Sequence, residues 1–79
     1  MKELNITGDV NWFANGKITI NPRSIIKVFE IDGTEAKLVK TYNRKYVGDK
    51  QGKKDIEQIA TLWVKRGYEI NKIEGFGFA

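Results

Sequence analysis

Two cations and two aromatic residues alternate along one stretch of the chain. Lys40, Tyr42, Arg44 and Tyr46 are spaced two apart, which on a β-strand points all four side chains to the same face. Aromatic rings stack on nucleobases, and neighbouring cations pair with phosphates. The nucleic-acid-binding residues predicted from this pattern and the lysines that follow it are Lys40, Tyr42, Arg44, Lys45, Tyr46, Lys50, Lys53 and Lys54.

The positive charge of the chain is concentrated around this stretch. The formal net charge of the 79 residues is +4, yet residues 37–54 hold seven cations against the single carboxylate of Asp49. The rest of the chain is therefore net negative. Most of these cations are lysines, which act as point charges and favour phosphate contacts over base readout. The pattern predicts weakly sequence-specific binding, preferentially to a single strand.

Residues that could carry catalysis are few. The chain has no Cys and no His, so it lacks the thiol nucleophile and the commonest general base and metal ligand. Its only serine, Ser24, has no evident base and is interpreted as structural. Glu35-Ala36-Lys37, with Asp9 or Asp32 upstream, resembles the metal-binding core of restriction-type nucleases. It falls at a predicted turn, where solvated charges are ordinary, so we predict no enzyme activity, no cofactor and no metal.

Residues 75–78, Gly-Phe-Gly-Phe, resemble the aromatic core of the RNP1 motif of RNA-recognition domains, whose aromatic rings stack on bases. The resemblance covers only these few residues. Glu74 stands where that family has Lys or Arg, and the second helix expected after the motif does not follow. We therefore predict no RNA-recognition domain, and we expect Phe76 and Phe78 to cover the core.

The first half of the chain reads as strands. Residues 3–12 alternate between apolar and polar, with a bulge or bend expected at Gly8. A three-residue loop, 14–16, with Gly16 at positive φ, is predicted because it places Trp12 and Ile18 on one buried face. Asn21-Pro22 is expected to end the second strand. A third strand, 24–31, precedes a loop at 32–35 that sets Glu30 opposite Lys37, and a fourth strand runs over 36–47.

The second half reads as one helix and one strand. Ile56, Ile59, Ala60 and Trp63 recur at helical spacing within a predicted helix 53–66, with Leu62 and Val64 widening its apolar stripe. Gly67 is the expected left-handed residue after the helix, and residues 68–74 return as a fifth strand. The prediction is a single α+β domain over residues 1–79: an antiparallel sheet of about five strands with one helix on it, in the order β-β-β-β-α-β.

The sequence thus predicts a small, basic, non-catalytic nucleic-acid-binding module. The alternative is a protein-interaction module, such as a phage-encoded modulator of a host protein, that uses the same cations against an acidic partner. Neither a signal peptide nor a membrane span is evident, so a cytoplasmic location is expected. A long edge strand also allows a homodimer.

Overall fold

One helix packs on a four-stranded mixed sheet in the computed structural model, which describes residues 2–78. The elements are β1 (Glu3–Ala14), β2 (Lys17–Asp32), β3 (Glu35–Lys45), α1 (Asp49–Lys65) and β4 (Glu69–Glu74). The sheet order is β3-β2-β1-β4, with β4 parallel to β1 and the other pairs antiparallel. The α+β class is confirmed. The sheet has four strands and not the predicted five, because the predicted second and third strands form one strand, β2. It is not wholly antiparallel as predicted, because β4 follows α1 and pairs parallel to β1.

The predicted strand break at Asn21-Pro22 lies inside β2. The pairing of β1 with β2 is irregular at this point, where Asn11 lies opposite Arg23 but Phe13 lies opposite Ile18. Pro22 has no N–H and is tolerated here because it is not paired with β1 in this irregular stretch. The Pro22 carbonyl accepts a hydrogen bond from the Tyr46 N–H at 3.1 Å.

The first hairpin turns in two residues. Asn15 and Gly16 have φ of 53° and 76°, as in a type I′ turn, and Ala14 pairs directly with Lys17. The positive φ of Gly16 is confirmed, but the predicted three-residue loop is wrong, and so is the predicted burial of Trp12 and Ile18 on one face, because both are exposed and Ile18 lies opposite Phe13. A register is fixed only where one face of a strand is buried, and this hairpin extends beyond the core.

The second hairpin has the register predicted for it. Glu30 lies opposite Lys37, and Phe29 lies opposite Leu38. The turn itself is shorter than the predicted loop, since Asp32 still pairs with Glu35. β3 has a bulge at Val39, because Phe29 pairs with Leu38 but the next residue, Val28, pairs with Lys40.

The core lies between α1 and one face of the sheet. Its strand residues alternate along β1 and β2, as period-two burial requires, and its helix residues are those predicted from the helical spacing. The buried apolar residues are Leu4, Ile6, Ile26, Val28, Ile56, Ile59, Ala60, Trp63 and Phe76. Leu62 and Val64, predicted to widen the helical stripe, are exposed.

The helix begins four residues earlier than predicted, and its first turn includes Gly52, which the sequence places in a loop. Gly52 lies within α1, where glycine is a poor helix former. A Cβ at this position would lie 2.5 Å from the Phe76 ring. Gly8 faces the same ring, and a Cβ there would lie 2.3 Å from it. Gly8, Gly52 and Ile56 thus form a socket for Phe76, hereafter the Phe76 pocket. The predicted bulge at Gly8 is absent, since Gly8 pairs regularly with Ile26.

Candidate nucleic-acid interface

β3 presents its alternating cations to the same side of the sheet as the helix. Tyr42 lies opposite Ile26, and Arg44 lies opposite Ser24, and both of these β2 partners are buried. Because directly opposite residues in an antiparallel pair share a face, Tyr42 and Arg44 border α1. The predicted common face of Lys40, Tyr42 and Arg44 is therefore present in the sheet.

An open cleft of about 640 Å³ separates β3 from α1. Its lining combines three cations, one carboxylate, two neutral polar side chains and an apolar floor. The residues are Tyr42, Arg44, Lys54, Glu57, Gln58, Ile59, Thr61, Leu62 and Lys65. A groove of this composition can hold an anionic chain while offering apolar contact to its uncharged parts.

Tyr42 is held in place on three sides. Its hydroxyl oxygen accepts a hydrogen bond from Trp63 Nε1 at 3.1 Å. Lys40 Nζ lies 5.7 Å from the ring centroid, and Arg44 Cζ lies 5.8 Å from it, so both cations are within cation–π range. A base could stack on this ring only after one of these flexible side chains moves aside.

The predicted binding residues divide into separate groups. Arg44 and Lys54 line the cleft with Tyr42, and Lys40 lies beside the Tyr42 ring. Lys45 pairs with Arg23 and, one residue after Arg44, points to the opposite face of the sheet. The other three are near the start of α1, away from the cleft lining: Tyr46, Lys50 and Lys53.

Tyr46 belongs to an aromatic row and not to the cleft. Its ring stacks on Phe76 with centroids 6.1 Å apart and meets Trp12 edge to face at 5.8 Å. Its hydroxyl donates a hydrogen bond to Asp49 Oδ1 at 2.8 Å. This bond to the neighbouring carboxylate requires the proton and raises the pKa of Tyr46. Tyr46 therefore anchors the first turn of α1.

The glycine-aromatic segment at the end of the chain serves the core. Gly75, Phe76 and Gly77 all have positive φ, at 99°, 50° and 88°, and this left-handed run inserts the Phe76 side chain into the Phe76 pocket. Phe78 packs on the core from outside, with Lys53 Nζ 5.7 Å from its ring centroid. An RNP1 strand presents its aromatic rings to solvent, and this segment does not.

The helix contributes cleft residues that sequence reasoning missed. Lys65 is one of the cleft cations, and Gln58, Thr61 and Leu62 line the same wall. The signal was available in the spacing, because residues 54, 58, 61 and 65 share a helical face next to the buried one. The predicted site follows the contiguous basic segment 37–54, and Lys65 lies outside that segment.

The residues of the nuclease-like pattern are not brought together. Asp32 and Glu35 pair at the β2–β3 turn, whereas Asp9 pairs with Ile25, about seven strand residues or roughly 20 Å away. Within residues 2–78, no group of three or more acidic side chains is arranged to hold a metal ion.

Within residues 2–78, no helix combines the length and the apolar character that crossing a bilayer requires.

Comparison with known proteins gives no family for this chain. No protein-family model matches the chain, and no curated protein and no solved structure shows significant similarity to it.

Proposed function

We propose that this chain is a non-catalytic module that binds single-stranded nucleic acid in the cleft between β3 and α1. The observation that carries the proposal is the gathering of Arg44, Lys54 and Lys65 around the aromatic and aliphatic floor of one open groove. Cations that track a phosphate backbone beside apolar and aromatic surface are the usual means of single-strand binding. A cytoplasmic location remains a prediction from the sequence.

The cleft suits a phosphate backbone better than it suits base readout. Its cations are mostly lysines, and Arg44 is the only guanidinium in the lining. Arg44 is also beside the Tyr42 ring, which leaves little for bidentate recognition of a base edge. Binding should therefore depend strongly on salt and weakly on sequence.

The test is fluorescence anisotropy with a labelled mixed-sequence oligonucleotide, as DNA and as RNA, over a series of salt concentrations. If three or four phosphates are neutralised, log K should fall against log salt with a slope of about −2 to −3, at roughly −0.7 per phosphate. Arg44→Ala should weaken binding and make this slope shallower by about 0.7.

Lys45→Ala is the matched control. Lys45 follows Arg44 in the chain and belongs to the same basic segment, but it lies on the other face of the sheet. Equal effects of the two substitutions would mean diffuse charge attraction without a cleft. Absence of binding at low salt would overturn the proposal altogether.

The contribution of Tyr42 needs a conservative variant. Truncation to Ala would strand the Trp63 indole N–H, which bonds to the Tyr42 hydroxyl. Tyr42→Leu combined with Trp63→Phe removes the aromatic face together with that donor. If the variant still melts cooperatively, stacking predicts weaker binding with an unchanged salt slope, because stacking releases no counterions.

A second candidate, a protein-interaction module for an acidic partner, is favoured by the exposure of Leu62 at the cleft floor. An acidic amphipathic helix could set an apolar residue on Leu62 and carboxylates against the cleft cations. A pull-down with and without nuclease treatment separates the two candidates, since only a nucleic-acid-mediated complex disappears on treatment.

A further inference from the structure

The two tyrosines of the predicted site have little ring surface free for a base. Lys40 and Arg44 both lie beside the Tyr42 ring. The Tyr46 ring lies outside the cleft lining and stacks on Phe76. Single-strand binding combines cations along the backbone with aromatic rings on which bases stack. A strand held by the cleft cations therefore needs an accessible aromatic ring elsewhere along its path.

Trp12 has such a ring on the helix side of the sheet. It follows Val10 by two residues in β1, and side chains two apart on a strand point to the same face. Val10 packs on the core. The Trp12 ring meets the Tyr46 ring edge to face at 5.8 Å. Because this contact uses at most one face of the indole and Trp12 is 49% exposed, indole surface remains for a stacking partner.

Trp12 lies just beyond one end of the cleft. Val10, Ser24 and Arg44 are cross-strand neighbours on β1, β2 and β3. Trp12 is therefore displaced from Arg44 by two strands across the sheet, about 10 Å, and by two residues along the strand, about 7 Å. A few nucleotides of one strand can span this distance and contact both residues.

Lys50 extends the row of helix cations toward the same end. Lys54 lines the cleft, and Lys50 precedes it by four residues, which places both on one face of α1. Lys50 is exposed. The Tyr46 hydroxyl bonds to Asp49 in the same turn, and the Tyr46 ring meets Trp12. The cations on α1 thus lead from the cleft to the neighbourhood of Trp12.

The surroundings of Trp12 suit a base better than a phosphate. Residues 10–16 contain no charged residue, so an anion gains no ion pair from them. Every base, by contrast, has a π-face that can stack on an aromatic ring. We propose that Trp12 stacks on a base of the single strand where that strand leaves the cleft past Lys50. The inference rests on the function proposed above and extends its binding site to the first hairpin.

Fluorescence anisotropy with the oligonucleotides used for the cleft tests the inference. Trp12→Ala should weaken binding about 5- to 100-fold, as expected for one stacked base, and it should leave the salt slope unchanged because stacking releases no counterions. Phe13→Ala is the matched control, because Phe13 is the next residue, is 59% exposed and points to the opposite face. It should leave binding unchanged, and melting curves should show that both variants fold.

Trp12 emission provides a second measurement, in the unsubstituted protein. A stacked base should quench the half-exposed indole, whereas Trp63 is buried. Only Trp63 emits in the Trp12→Phe variant, so this variant supplies the background signal. Because Phe keeps an aromatic face, Trp12→Phe should also bind more tightly than Trp12→Ala.

The outcomes separate this inference from the cleft. Binding that depends on Arg44, is unaffected by Trp12→Ala and causes no quenching of Trp12 would overturn the inference and leave the cleft proposal standing. Equal losses from Trp12→Ala and Phe13→Ala would also overturn it, because they would reflect a general effect on the hairpin. Binding that depends on Trp12 but not on Arg44 would overturn the cleft and the path out of it together.

Discussion

The Phe76 pocket and the end of the first hairpin (residues 11–21, hereafter the arm) both contain large aromatic residues, which are buried in the pocket and exposed in the arm. Phe76 is 6% exposed because Gly8 and Gly52 let its ring approach the backbone closely, and Gly75 lets its own backbone approach that of Gly8. In the arm, Phe13 is as large and stays in solvent. Tyr46 joins the two regions, because its ring stacks on Phe76 and meets the Trp12 ring edge to face. The difference shows that burial here is decided by what faces a side chain, not by how apolar it is.

Replacing Phe76 and Phe13 by Ala should give the largest difference in stability between the two regions. Phe76→Ala removes a buried ring and should cost about 3–5 kcal/mol, close to the whole stability of a domain this small. Phe13→Ala should stay within about 0.5 kcal/mol. Urea denaturation followed by circular dichroism measures both, and similar losses for the two variants would contradict the comparison.

The glycines of the two regions should differ in why they resist substitution. Gly8→Ala forces a Cβ against the Phe76 ring, so overpacking should cost about 1–3 kcal/mol. Gly16→Ala meets no atom within 4 Å, and only its positive φ penalises it, by about 1 kcal/mol.

A double-mutant cycle tests this distinction. Phe76→Leu should partly relieve the clash in the Gly8→Ala background and should leave the cost of Gly16→Ala unchanged. Additive effects of Gly8→Ala and Phe76→Leu would show that the ring is not what excludes a Cβ at Gly8.

Ser24 places a hydroxyl in the core, and replacing it tests whether this polar group lowers the stability of the fold. Its hydroxyl is buried and has no hydrogen-bond partner within residues 2–78. Ser24→Ala removes that unsatisfied group at little cost in volume, and it should raise the free energy of unfolding by about 1 kcal/mol. A loss of stability in urea denaturation would instead mean that the hydroxyl is satisfied in solution.

The smallest effect concerns Tyr46, at the boundary between the regions. Its pKa is raised above 10.0 by the hydrogen bond to Asp49. The stability that this bond supplies is therefore complete below the unfolded pKa and is lost as pH rises through the folded pKa. Unfolding curves of the wild type and Tyr46→Phe should differ at neutral pH and converge above pH 10; a constant difference would contradict the role of the bond.

Much of the fold was predictable because period and register carry direct physical meaning. The buried helix positions Ile56, Ile59, Ala60 and Trp63 followed from 3.6-residue spacing, and the pairing of Glu30 with Lys37 followed from cross-strand charge. The sequence pattern argues against a two-residue turn at Asn15-Gly16, because such a turn leaves Ile18 unburied. That inference assumed a core beneath the arm, and the arm extends past it.

The remaining differences come from contacts distant in sequence. Gly52 is typical of a loop in the sequence, and only its contact with the Phe76 ring explains its place in the helix. No local sequence pattern indicates that β4 lies parallel to β1. For the candidate site, strand alternation correctly grouped Lys40, Tyr42 and Arg44. It could not show that Tyr46 turns toward Phe76 or that Lys65, on α1, completes the cleft.

The parallel pairing of β1 with β4 also has a kinetic consequence. Asn71 Nδ2 donates to Asn5 Oδ1 across 66 residues of chain, whereas the two hairpins need only short loops. Closing so large a loop costs entropy before it gains contacts, so we expect β1, β2 and β3 to associate first and β4 to join late. Until it does, the outer edge of β1 is open, and the interval before β4 docks is when the chain is most exposed to wrong strand pairing with its neighbours.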